Sequence, residues 1–195
     1  MFITFIFLQF LTVWAQKNIV FLGDSLTEGY LLDQNKAYPA LVQNKIDQKK
    51  LNYKVINAGI SGSTSASGPT RLKWYLKQPL DVLVLALGAN DGLRGVNLKE
   101  TEKNLNQTIK LAQEKNVKVL LVGMKLPPNY GKEFSQGFEK LYEKLALQWK
   151  LPLIPFMLKG VGGMKEYNLP DGIHPNEKGH EIVANTIWEK LGPML

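Results

Sequence analysis

The chain contains no cysteine. That excludes thiol nucleophiles, zinc fingers, iron–sulfur clusters, disulfide scaffolds and lipid attachment through a thiol. Histidine is nearly absent too: His174 and His180 are the only two, so any imidazole chemistry has two candidates. They lack the i, i+4 spacing that places two ligands on one helix face, and no clear third ligand accompanies them, so no metal site is expected. Arginine is equally scarce, at Arg71 and Arg94 only. The net charge of +7 therefore rests on lysine, interleaved with glutamate as in Glu139, Lys140, Glu143 and Lys144. This is the pattern of solvated helix faces and not of a basic stripe with aromatic platforms, so no nucleic-acid partner is expected.

Repeats and low-complexity linkers are also missing. With 195 residues, 45% hydrophobic and 21% charged, the chain has material for one sizeable core and little more. The first fifteen residues carry no charge at all. They run Phe2, Ile3, Phe5, Ile6, Phe7, Leu8, Phe10, Leu11, Val13 and Trp14 up to Ala15. The run is short for a membrane span, and Val13 and Ala15 put small residues three and one before a cut after Ala15, the arrangement of an export leader. The leader lacks the positive charge that ordinarily follows the initiator methionine. A hydrophobic element packed on the domain and an uncleaved anchor are the alternatives for the same run. The expected organisation is a leader over residues 1–15 and a single domain over 16–195. The mature protein is then a monomer, periplasmic or secreted, with no stable insertion in a membrane.

After Gln16, short apolar runs alternate with helix-period segments, the punctuation of βαβ units. Strands are expected at residues 18–23, 53–58, 81–87, 117–123 and 153–156. Helices are expected at 38–49, 70–77, 98–115, 134–150 and 176–191. Runs such as LVLAL suit parallel strands covered on both faces. The fold class is therefore α/β, a three-layer α/β/α sandwich around a five-stranded parallel sheet.

In such sheets the ligand site lies beyond the carboxyl ends of the strands. The loops leaving the strands read Gly23-Asp24-Ser25-Leu26, Gly59-Ile60-Ser61-Gly62, Gly88-Ala89-Asn90-Asp91 and Asp171-Gly172-Ile173-His174-Pro175. Acyl transfer needs a hydroxyl nucleophile, an imidazole base, a carboxylate to fix its tautomer and donors for the oxyanion. Ser25, His174 and Asp171 supply the first three. The Ser25 and Gly62 backbone N–H groups and the Asn90 amide supply the donors. Asp24 and Asp91 are read as structural hydrogen-bonding groups, and His180 as a solvated residue of the last helix.

The segment GDSLTEGY at 23–30, with Gly62, Gly88-Ala89-Asn90-Asp91 and Asp171-Gly172-Ile173-His174-Pro175 in that order, resembles the GDSL or SGNH hydrolase family. Residues 90–95 (NDGLRG) and 126–131 (LPPNYG) resemble its bacterial periplasmic multifunctional esterases, which have thioesterase, arylesterase and lysophospholipase activity. The resemblance implies a flavodoxin-like sheet, a Ser25–His174–Asp171 triad, the three donors named above and no cofactor. Ala89 departs from the subgroup, where a glycine is frequent. The substrate so implied is a small acyl ester or thioester. The loop carrying Leu126, Pro128 and Tyr130, and the glycine-rich stretch carrying Met157, are expected to flank an acyl groove. A carbohydrate or small-acyl deacetylase on the same fold is the alternative enzyme, and a flavodoxin-like binding module without chemistry is the alternative from another class.

Overall fold

The structure is a computed structural model describing residues 15–195, so the expected leader lies outside the described residues apart from Ala15. All five apolar runs become strands: β1 (Lys17–Gly23), β2 (Tyr53–Gly59), β3 (Val82–Ala86), β4 (Lys118–Val122) and β5 (Leu153–Ile154). They form one parallel sheet in the order β2-β1-β3-β4-β5. Every residue of the central β3 is buried, which is why its sequence is continuously apolar rather than alternating.

Among the described residues seven α-helices accompany the strands: α1 (Ser25–Glu28), α2 (Tyr38–Gln48), α3 (Gly68–Tyr75), α4 (Ala89–Leu93), α5 (Leu98–Gln113), α6 (Lys132–Trp149) and α7 (Glu177–Leu191). Helix α2 packs on α7, while α3 packs on α5 and α5 on α6. Right-handed crossovers put the first pair on one face of the sheet and the other three on the opposite face. In α5 the residues Leu105, Ile109 and Ala112 are fully buried, and a leucine or isoleucine so buried contributes about 2 kcal/mol. Among the described residues no helix is long and apolar enough to cross a membrane.

Element ends differ from expectation for local reasons. Strand β5 stops after two residues because Pro155 has no N–H to extend the ladder. Helix α3 begins at Gly68, two residues early, because Pro69 sits in its first turn, where a missing N–H costs nothing. Helices α1 and α4 span only four and five residues, too short to leave a periodic signature. The topology also fixes where a site can form. The chain leaves β1 through α2 toward β2 and leaves β3 through α5 toward β4, in opposite directions. The loops at the ends of β1 and β3 therefore part and open a crevice between them.

One expectation is overturned here. His180 is not solvated but 1% exposed. Its Nδ1 accepts the Tyr38 backbone N–H at 3.0 Å, a group at the start of α2 that no helical carbonyl reaches. The two rings stack with centroids 6.1 Å apart. The signal was present in the sequence, since His180, Val183, Ala184, Ile187 and Leu191 follow the apolar period of α7 and are all buried. Burial, reinforced by the charge of His174, pushes the His180 pKa down to about 4.

The folded chain therefore resists a proton that the unfolded chain accepts near pH 6.5, and the stability due to neutral His180 is lost as pH falls from about 6.5 to about 4. His180→Gln, which keeps an acceptor but does not titrate, is expected to gain about 3 kcal/mol relative to wild type across that window. Urea melts of both proteins at pH 7, 5 and 4 measure this; a constant difference would contradict it.

Candidate active site

Ser25 opens α1 directly beyond β1. The preceding Asp24 caps that turn, its Oδ1 accepting the Leu26 N–H at 3.0 Å. The turn lies flush against the end of β2: a Cβ added at Gly59 would fall 2.0 Å from the Glu28 nitrogen, so only glycine fits there. Asp24 is 2% exposed. Burial pushes its carboxyl up to about 6, against the opposing pull of the Leu26 N–H, the His174 charge and the Asn90 amide.

His174 arrives from the loop before α7, 149 residues away in sequence. Its Nε2 stands 2.9 Å from Ser25 Oγ and its Nδ1 2.8 Å from Asp171 Oδ2. An ionised carboxylate only accepts, so Nδ1 carries the hydrogen and Nε2 is left to accept from the serine hydroxyl. Asp171 Oδ1 accepts the Ile173 and His174 backbone N–H groups at 2.9 and 3.0 Å. Desolvation raises the Asp171 pKa, but these two N–H bonds, the imidazole bond and the imidazole charge outweigh it and hold the carboxyl at about 2. The carboxylate thus organises its own loop and the histidine together.

Gly62 lies in the exposed loop after β2 at φ +75°, a backbone state that favours glycine, and its carbonyl accepts from Arg94 at 3.1 Å. Asn90 is half-buried in α4, its Nδ2 3.1 Å from Ser63 O and 3.4 Å from Asp24 Oδ2. Asp91 is 1% exposed and accepts the Ser65 N–H at 2.8 Å and the Thr101 hydroxyl at 3.3 Å, tying α4 to its neighbours. Ala89 is buried in the core cluster.

The two loops expected to flank a groove meet different elements in the structure. Leu126 faces Gly92 of α4, leaving no space for a Cβ there. The Tyr130 hydroxyl donates to Leu93 O at 3.1 Å, anchoring the single 3₁₀ turn Pro128–Tyr130 to the same helix. This loop therefore sits on the helix that carries Asn90. Met157 does not belong with it. It is 2% exposed and, with Leu158 and Val161, is part of the core. The Met157 N–H bonds to Gly123 O at 3.0 Å, and Val161 sits against Gly179 of α7, so this stretch closes the end of the sheet.

Two neighbours of the site escaped sequence reasoning. The Tyr30 ring lies on His174 with centroids 4.5 Å apart and a 35° tilt, and no local pattern signals such a contact. Arg71 donates into the ends of β1 and β2; an isolated arginine inside a helix gives no hint of that. Among the described residues no three His, Asp or Glu side chains cluster as metal ligands would.

The chain as a whole has known relatives. The profile of the GDSL-like Lipase/Acylhydrolase family matches residues 21–182. The chain is 39% identical to "Thioesterase 1/protease 1/lysophospholipase L1" of Escherichia coli strain K12, across 98% of this chain and 92% of that protein. It is 38% identical to "Esterase TesA" of Pseudomonas aeruginosa, across 93% of this chain and 90% of that protein. A crystal structure of TesA matches with a TM-score of 0.89 at 37% identity, covering 92% of this chain and 100% of that one.

Proposed function

Because the chain belongs to the GDSL-like lipase/acylhydrolase family and is an ester hydrolase, we propose that it cleaves acyl esters and thioesters through an acyl-enzyme on Ser25. The observation that carries this reading is the unbroken hydrogen-bond line from Ser25 Oγ through His174 to Asp171. His174 Nε2 takes the hydroxyl proton as Ser25 Oγ adds to the substrate carbonyl carbon. The oxyanion is met by the Ser25 and Gly62 N–H groups and the Asn90 amide. Of the two Asn90 contacts, the 3.4 Å one to Asp24 is the weaker, and that hydrogen turns to the substrate. Collapse breaks the bond to the alcohol or thiol, which leaves with the proton from His174. Water then repeats the sequence and releases the carboxylic acid. Asp171 keeps the proton on Nδ1 throughout and balances the imidazolium.

Leu126 and Tyr130 pack against Gly92 and Leu93 of α4, the helix that carries Asn90, and form the wall along which the acyl chain lies. The relatives named as thioesterase and lysophospholipase support a lipid-like acyl group. The uncharged apolar run before Gln16 supports export to the periplasm or medium. With p-nitrophenyl esters from acetyl to octanoyl, kcat/KM is expected to rise about tenfold or more, since each buried methylene contributes about 0.8 kcal/mol before losses. Octanoyl thioesters are expected to be hydrolysed as well. A preference for acetyl over octanoyl would remove the groove and turn the reading to a small-acyl deacetylase.

A further inference from the structure

Arg71 lies on α3, away from Ser25, His174 and Asp171 in sequence and outside the steps just described. Its guanidinium is half-buried and makes three contacts. Nη1 donates to Gly23 O at 3.0 Å and to Ser63 Oγ at 3.1 Å. Nη2 donates at close range to Ala58 O. Gly23 O also accepts the Ile60 N–H at 3.2 Å, and Ser63 O accepts from Asn90 Nδ2 at 3.1 Å.

These contacts join the three segments that carry the oxyanion donors. Gly23 leads through Asp24 into the Ser25 N–H. Ile60 and Ser63 bracket Gly62 in the loop after β2. Asn90 is reached through Ser63. The carbonyls of Gly23 and Ala58 converge at the ends of β1 and β2, where negative ends of peptide dipoles crowd together and a cation is favoured. A planar guanidinium with five fixed donors spans such a set, whereas an ammonium acts as a point charge.

We propose that Arg71 is a positioning residue that sets the spacing of the oxyanion donors by clamping the end of β1 to the loop carrying Gly62 and, through Ser63, to Asn90. The proposal rests on the reading of Ser25, Gly62 and Asn90 given above. The Arg71 guanidinium is directed at Gly23 O, Ser63 Oγ and Ala58 O, so its loss acts on the transition state through geometry. A displacement of about 1 Å in such donors costs on the order of a hundredfold in rate.

The test uses the full-length protein with an octanoyl p-nitrophenyl ester. Arg71→Lys is expected to lower kcat about thirtyfold to a hundredfold with KM within about threefold of wild type. Arg71→Ala is expected to regain about tenfold of its lost kcat with millimolar guanidinium or methylguanidinium, and nothing with the same concentration of sodium chloride. Ser63→Ala, which removes a single contact, is expected to lower kcat about threefold or more without shifting the melting temperature. It decides the matter alone should both Arg71 variants fail to fold.

Unchanged kcat in Arg71→Lys or Ser63→Ala overturns the proposal. So does a parallel fall of kcat, 1/KM and melting temperature in Arg71→Lys with no guanidinium rescue of Arg71→Ala, the mark of a purely structural arginine. Labelling of wild type by a fluorophosphonate separates the two levels. Absent labelling at Ser25 removes the nucleophile reading itself, whereas labelled wild type with fully active Arg71→Lys removes only the clamp.

Discussion

Ser25→Ala yields a folded protein whose ester turnover falls by about 10⁴- to 10⁶-fold, the range for loss of a nucleophile whose partners act as a unit. The fold survives because Ser25 sits on the surface of the crevice and its hydroxyl bonds to His174, while the cap on α1 comes from Asp24 and remains. Some rate over water persists if the proposed oxyanion donors act as described, since the substitution leaves them in place. Two measurements check this: kcat on a p-nitrophenyl ester, and stoichiometric labelling by a fluorophosphonate, which wild type shows and the variant lacks. The urea midpoint stays at the wild-type value. Turnover within tenfold of wild type would assign the nucleophile to another residue.

Asp171→Asn is expected to cost about 10⁴-fold in kcat with little change in stability. The carboxamide oxygen still accepts the Ile173 and His174 backbone N–H groups, so the loop keeps its shape. The amide nitrogen now faces His174 Nδ1 and donates instead of accepting. The imidazole answers by moving its hydrogen to Nε2, where it points at Ser25 and no longer accepts the hydroxyl proton. Imidazole nitrogen shifts measured by NMR would report the change of tautomer directly. Asp171→Asn with wild-type kcat, or with the hydrogen still on Nδ1, would show that the carboxylate does not set the tautomer. Because the Asp171 carboxyl is held at about 2 in the folded protein and titrates near 3.8 when unfolded, its contribution to stability is present above pH 4. It is lost only as pH falls toward 2.

The residues gathered at the candidate site were legible because they lie in four short loops, three of them directly after an apolar run and the fourth just before α7. Strand ends mark where a parallel sheet presents its ligands, and a serine, an asparagine and an aspartate–histidine pair at those ends are distinctive in type. The same reasoning failed where a residue's role depends on what lies across the fold. Met157 sits in a glycine-rich stretch that reads as a surface loop, yet the short β5 and the packing of α7 draw it into the core. His180 reads as a polar interruption of a helix, yet the first N–H of α2 needs an acceptor and the helix period points the imidazole at it.

By itself the sequence determined not the short α1 and α4 but the five strands, the five long helices between and after them, the parallel sheet and the identity of the chemical groups on its rim. These depend on periodicity and side-chain type, which are local. Only the tertiary structure decided that Ser25 and His174, 149 residues apart, meet at 2.9 Å, that Tyr30 covers the imidazole and that Arg71 gathers the Gly23 and Ala58 carbonyls at the ends of β1 and β2. Distances between remote segments follow from how the helices pack on the sheet, and no local pattern of residues encodes them.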